Sequence, residues 1–128
     1  MPWECRSSSL EWESEGGEPS VSDIERSVQA QLDACNARDI ERFMRCWADD
    51  CRYYTFPADL LADGAAQVHE RHIERFKESH LHGTLVKRMM VGNLVVDREV
   101  VMRTFPERPG EVAVVAIYEV EAGKIARA

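Results

Sequence analysis

By type and spacing, His69 and His72 are the residues best suited to do chemistry in this chain. They lie three apart in a stretch where Ala65, Val68, Ile73 and Phe76 recur at helical spacing, and both fall on that apolar face. An imidazole turned toward a core needs a partner, because burying an unpaired polar group costs about 1–3 kcal/mol. It either bonds to backbone or water, or lines a pocket as acid, base or donor. His72 sits one helical turn from both Val68 and Phe76, so it aims at the space between its helix and whatever packs against it. With His80 and His82 downstream, the pair also has the i, i+3 spacing of two metal ligands. However, there is no H-E-x-x-H pattern and no carboxylate is clearly aimed at the same point, so no metal is expected.

A second candidate is Arg98. In the stretch from Leu94 to Arg103, alternate residues read Leu94, Val96, Arg98, Val100, Met102 on one face and Val95, Asp97, Glu99, Val101, Arg103 on the other. Period-two logic turns the more apolar first face inward and leaves Asp97 and Glu99 to solvent. Arg98 then interrupts an apolar face, where it either meets an anionic ligand or oxyanion or snorkels to the rim or to a carboxylate such as Glu119. From Cys51 to Phe56, Tyr53 and Thr55 share one face and Arg52, Tyr54 and Phe56 the other; alternation does not say which looks inward. Of the four cysteines, Cys5, Cys35, Cys46 and Cys51, none forms a C-x-x-C pair or has zinc-finger spacing. They read as reduced thiols of a cytoplasmic protein.

These residues need elements to position them. Ser22-Asp23-Ile24-Glu25 is a capping box opening a helix whose stripe is Ile24, Val28, Leu32 and Cys35. Asp39 caps a second helix with Ile40, Phe43, Met44 and Trp47 on one face. Ala48-Asp49-Asp50 reads as a turn, Cys51 to Phe56 as a strand ended by Pro57, Ala58 to Gly64 as loop, and Ala65 to Ser79 as a third helix. Strands follow over Leu85 to Val91, Leu94 to Arg103, Val112 to Val120 and Lys124 to Ala128, with Gly92-Asn93 and Glu121-Ala122-Gly123 as turns. The order is α-α-β-α-β-β-β-β. It implies an α+β fold in which a curved antiparallel sheet packs on three helices and leaves a cavity between them.

The chain has 128 residues, 45% of them hydrophobic and 30% charged, as expected of one globular domain. A net charge of −7 argues against nucleic acid or an anionic membrane as partner. The longest apolar run, Val112 to Ile117, is too short to span a bilayer, and residues 1–19 have no signal-peptide pattern. That first stretch is rich in Glu and Ser and holds more than half of the net charge, so it is expected to be an acidic flexible extension before a domain over residues 20–128. Both faces of Val112 to Val120 are largely apolar. One would stay exposed unless a second copy covered it, so a homodimer is expected.

Several local phrases resemble the nuclear-transport-factor-2-like superfamily, in particular its SnoaL-like (polyketide-cyclase-like) branch with the cystatin-like cone. Asn36-Ala37-Arg38-Asp39-Ile40-Glu41 followed by Trp47-Ala48-Asp49-Asp50-Cys51 is similar to that branch's helix hairpin. Gly64 to Phe76 resembles its third helix, and Val112 to Ile125 its closing hairpin. The resemblance implies a pocket for a small hydrophobic molecule and no cofactor. The activity is either acid–base chemistry of the isomerase, hydrolase or cyclase type, or non-catalytic ligand binding or dimerisation. Steroid isomerases of this fold carry an oxyanion tyrosine where this chain has Gln31. They carry a base just before a proline, where this chain has Thr55 and Phe56, and a second acid near Val115 or Ala116. That mechanism is therefore not expected. The matched base position does turn the Tyr53–Thr55 face inward. The expected site is thus His72, Arg98 and Tyr53, in a pocket lined by Thr55, His69 and Phe76, with Arg98 keeping His72 neutral.

Overall fold

A computed structural model describes residues 21–128, without the side chains of residues 21 and 22. The expected extension over residues 1–19 and the capping side chain of Ser22 lie outside the described residues. Helix α1 (Val21–Ala37) buries Ile24, Val28 and Leu32 as its spacing predicts, with Gln31 and Ala34 beside them. Arg38, at φ 57°, turns the chain. Asp39 then caps α2 (Ile40–Arg45) by accepting from the Arg42 amide at 3.1 Å.

Strand β1 (Trp47–Thr55) begins at Trp47 rather than Cys51, so the expected turn over residues 48–50 is strand. It runs parallel to β6 (Lys124–Arg127) with an irregular register between Trp47 and Arg52. Asp49 and Asp50 stay exposed there, which is why their composition mimics a turn. Strand β2 (Asp59–Asp63) occupies the expected loop. It is an antiparallel edge partner of β1, and its exposed Leu60 and Leu61 hide the alternation that marks a strand. Helix α3 (Ala65–Arg75) stops short of Ser79. The following turns are held by Arg38, whose guanidinium donates to the carbonyls of Glu78 (2.6 Å) and Leu81 (3.1 Å).

Strands β3 (His82–Val91), β4 (Leu94–Thr104) and β5 (Pro109–Glu121) complete a six-stranded sheet in the order β2-β1-β6-β5-β4-β3. Only the β1–β6 pair is parallel. The sheet curves over the three helices, giving the expected α+β cone. Val28, Phe43, Trp47, Val68, Val95, Tyr118 and Ile125 form its core. Among the described residues no helix is long and apolar enough to cross a membrane.

The phase of β4 is the reverse of the expected one. Val95, Asp97 and Glu99 are buried, while Leu94 and Arg98 are exposed. The physical reason is Arg88 of β3. The register between β3 and β4 sets it opposite Asp97, and it donates Nε and Nη2 to the two carboxylate oxygens at 2.7 and 2.8 Å. The same guanidinium donates to Gln29 and Glu25 of α1 at 3.0 and 3.3 Å. A buried carboxylate so fully bonded is tolerated inside. Asp97→Leu alone removes the buried partner of Arg88, leaving it the half-exposed Glu25, and should cost about 3–5 kcal/mol in urea denaturation, whereas Arg88→Met with Asp97→Leu should recover most of that loss. Equal losses in the single and double variants would show that the pair does not set the strand's phase.

Candidate functional site

The cone opens into a cavity walled by α1, α3 and the inner faces of β1, β4 and β5. Its lining includes Gln31, Leu32, Cys35, Phe43, Trp47, Tyr53, Arg71, His72, Arg75, Gly83, Glu99, Val101, Arg103, Val114 and Tyr118. The total void of about 1180 Å³ also takes in an outer shoulder by Tyr54, Val115, Ile117 and Arg127, so the cone's interior is only part of it.

The apolar stripe of α3 carries His72 into this space as expected, buried to 8% exposure. Its Nδ1 lies 2.8 Å from the Val68 carbonyl. A carbonyl only accepts, so Nδ1 carries the proton and Nε2 is left as the acceptor. The ring is surrounded by Phe43 (centroids 4.6 Å apart), Tyr53 (5.6 Å), Phe76 (6.2 Å) and Trp47 (6.3 Å). Burial, aided by the charges of Arg75 and Arg71, pushes its pKa down to about 4. His72 is therefore neutral as expected, but burial and these two arginines hold it so, and Arg98 does not. With so low a pKa it suits hydrogen-bond acceptance better than proton transfer near neutrality.

Tyr53 joins His72 in the cavity, edge-on to its ring, and Thr55 stands exposed at the rim. The other expected residues lie elsewhere. Arg98 is exposed on the outer sheet face, because β4 has the opposite phase. His69 is exposed, on the solvent side of α3. Phe76 packs edge-on against Phe43 in the core (centroids 5.3 Å) and does not line the cavity. Among the described residues no three His, Cys, Asp or Glu side chains gather as a metal-ligand set.

In place of Arg98, β4 sends in Glu99, which is 6% exposed, with Oε2 buried and without a partner. Gly83 lies beside it: a Cβ there would crowd Leu32 Cδ1 at 3.1 Å and touch Glu99 Oε1 at 3.4 Å. Asn36 fixes that approach by accepting from the Gly83 amide (2.8 Å) and donating to its carbonyl (2.9 Å). Burial, with the charge of Asp97 adding and that of Arg88 opposing, pushes Glu99 up to about 7. Glu99 pairs with Val114 of β5, whereas Val115 and Ala116, near which the isomerase acid was sought, face Arg98 and Asp97.

Arg71, Arg75 and Arg103 also line the cavity. The guanidinium of Arg71 lies over the Tyr53 ring at 5.5 Å. Arg103 donates twice to Glu78, at 2.9 and 2.8 Å, and Glu78 also accepts from the Thr104 amide at 3.0 Å. Glu78 is held down at about 2, chiefly by Arg103. Sequence patterning missed Glu99 and the three arginines because it ranked faces by apolar content alone. The signal was present on α3, where Arg71 and Arg75 flank His72 on the face shared with Val68.

Comparison with known proteins places the chain among proteins of this architecture. The family profile of the SnoaL-like domain matches residues 28–128. An uncharacterised cystatin-fold protein from Novosphingobium aromaticivorans superposes with a TM-score of 0.75 at 24% identity, covering 84% of this chain and 96% of that one. An LEH-like epoxide hydrolase from M. tuberculosis gives 0.72 at 16% identity, covering 85% and 81%. TerC, co-crystallised with polyporic acid, gives 0.69 at 16% identity, covering 82% and 87%. At these identities the likeness is one of fold. No curated protein matches the chain.

Glu99 and His72 couple folding to pH in opposite senses. Between the ordinary carboxyl value of 4.5 and about 7, folded Glu99 keeps a proton that the unfolded chain releases, so stability falls as pH rises. Between 6.5 and about 4, the unfolded chain protonates His72 while the folded ring refuses the proton, so stability falls as pH falls. The two slopes oppose each other across one window. Relative to wild type, Glu99→Gln should therefore gain stability from pH 4.5 to 6.5, and His72→Phe should lose it over the same range. Urea denaturation across that range checks both; parallel profiles in the two variants would contradict the assignment.

Proposed function

The chain belongs to the SnoaL-like domain family, and from that premise we propose that its cone is a small-molecule site in which Glu99 moves the proton. One observation carries the reading. All three buried side-chain polar atoms that lack a partner among the described residues, Trp47 Nε1, Arg71 Nε and Glu99 Oε2, belong to residues lining this cavity. Buried polar groups are rarely left unpaired, and three orphans on residues that line one cavity suit an oxygen-bearing ligand within an otherwise apolar wall. Glu99, with a pKa near 7, is poised both to give and to take a proton near neutral pH. His72 Nε2 accepts from the ligand and the Tyr53 phenol donates to it. Small molecules bound by proteins of this fold, such as polyporic acid in TerC, support the size and type of ligand.

The outer sheet face supports a homodimer. Val86, Met89, Val91, Leu94, Val115 and Ile117 are all exposed along β3, β4 and β5. So wide an apolar face is better covered by a second copy than by water. The three described cysteines are unpaired thiols, which supports a reducing, cytoplasmic setting.

Thermal-shift and crystal-soaking screens with small hydrophobic carbonyl compounds and acids should return ligands seated against Glu99. For a ligand that reacts, Glu99→Gln should keep binding and lose about 10²–10⁴-fold in turnover. Unchanged turnover in that variant would remove Glu99 as the proton carrier, and ligands that bind without reacting would leave a binding module. Light scattering at micromolar concentration should find a dimer that Val115→Glu converts to a monomer; a monomeric wild type would end the dimer proposal.

A further inference from the structure

Three guanidinium groups, those of Arg71, Arg75 and Arg103, line the cone's interior, and among the described residues Glu78 is the one carboxylate ion-paired with them; Arg127, on the outer shoulder, is paired with Glu119. Glu78 accepts from Arg103 through both oxygens and stands 3.7 Å from Arg75 Nε. Glu70, Glu74 and Glu78 line an outer groove along α3 together with Arg71 and Arg75. Glu74 is engaged with Lys77 at 3.1 Å, and no ion pair reaches Arg71 among the described residues. Arg71 is instead held over the face of Tyr53, and its Nε–H is buried with nothing to donate to. In a chain of net charge −7 this is a local cationic excess at the wall of an apolar pocket.

We infer that the ligand of this cavity is a hydrophobic monocarboxylate, whose carboxylate is taken by Arg71 with Arg75 beside it while its apolar body fills the cone. The inference rests on the small-molecule reading above and narrows it to a charge class. A planar guanidinium matches a carboxylate with two parallel N–H donors, and a partly desolvated site strengthens that bond. Tyr53 contributes through its ring by fixing the guanidinium plane at the wall, so Arg71 is pre-organised for its partner. The aromatic group of Phe43, Trp47, Tyr53 and His72 accepts the body of the ligand, and the neutral His72 adds no charge to oppose it. Glu99 stands on a different wall, at the seam of β3, β4 and α1, where its side chain and that of Leu32 both approach Gly83. A ligand anchored by its carboxylate at Arg71 therefore presents its other end toward Glu99.

The test is calorimetric titration of the full chain with 4-phenylbutyrate, 4-phenylbutyramide and 4-phenylbutanol, which share a body and differ in charge. Wild type should bind the acid at least about tenfold more tightly than the amide or alcohol, as one charge-assisted bidentate contact supplies. The preference should fall as salt is raised. Arg71→Gln should bring acid and amide to equal affinity, Arg71→Lys should retain part of the difference, and Arg98→Gln on the outer face should leave it unchanged. Should Arg71→Gln fail to fold, the wild-type ratio and the lysine variant still decide. Equal binding of all three probes by wild type, or a preference for the amide, overturns the carboxylate inference and leaves the small-molecule reading standing. Binding of none overturns both.

Discussion

A guanidinium clamped by both oxygens of a buried carboxylate governs the interior of this cone. Arg88 and Asp97 face each other across the β3–β4 hairpin, and the pair also reaches α1 through Gln29 and Glu25. The opposite phase would bring Arg98 inside without that partner and leave Arg88 beneath the helix with Glu25 and Gln29 alone. Leaving such a charge uncompensated costs more than exposing a row of valines. Once the phase is set, alternation follows. Glu99 and Arg103 must point into the cone, and Val96, Arg98 and Val100 must point away from it. The same contact thus chooses the cavity's functional groups and consigns an apolar row to the outer face.

A second polar joint closes the other side. Glu78 lies just beyond α3 and binds Arg103, the Thr104 amide and, at longer range, Arg75. It draws the end of the helix onto the far end of β4, so the cavity is spanned between two arginine–carboxylate contacts. Arg38 reinforces this by donating to the Glu78 and Leu81 carbonyls in the same turn. The joints differ in exposure. Asp97 is fully buried, whereas the Glu78 side chain keeps 20% exposure. The first therefore behaves as a structural lock, while the second sits where solvent can reach its arginines.

The fold was legible because it rests on helical stripes, a capping aspartate and two-residue turns, all local signals. Asn36 to Asp50 and the closing hairpin carried enough of these to indicate the family. By periodicity the site was legible only on α3, where a helical stripe has one buried face and His72 had to share it with Val68; on β1 it was the family resemblance, not alternation, that turned Tyr53 inward. It was not legible on β4, because alternation separates two faces without saying which is inner, and here the outer face is itself apolar. A further reading of the hairpin contained the answer. A turn at Gly92-Asn93 sets Val91 against Leu94 and hence Arg88 against Asp97. Opposite charges facing across a ladder mark the inner side when the surrounding positions are apolar. Strand β2 escaped for another reason: an exposed edge of Asp59-Leu60-Leu61-Ala62-Asp63 has no buried face with which to announce itself.

In this cavity the usual order of acid strengths is inverted. Carboxyl groups ordinarily ionise below imidazoles, yet Glu99 is pushed up to about 7 while His72 is pushed down to about 4. Burial acts on both in the direction that disfavours charge; Asp97 reinforces it at the acid against the pull of Arg88, and Arg71 and Arg75 reinforce it at the ring. Between those two values neither group need be charged, so the interior presents a neutral acid and a neutral acceptor, and its formal charge comes from the arginines on the wall. A pocket of this kind holds an apolar body without an ionic penalty, keeps a transferable proton on Glu99, and supplies its charge where the walls meet solvent. Groups whose environments drive their pKa values apart in this manner mark acid–base assignments, and here the one whose pKa lies near neutrality is the glutamate.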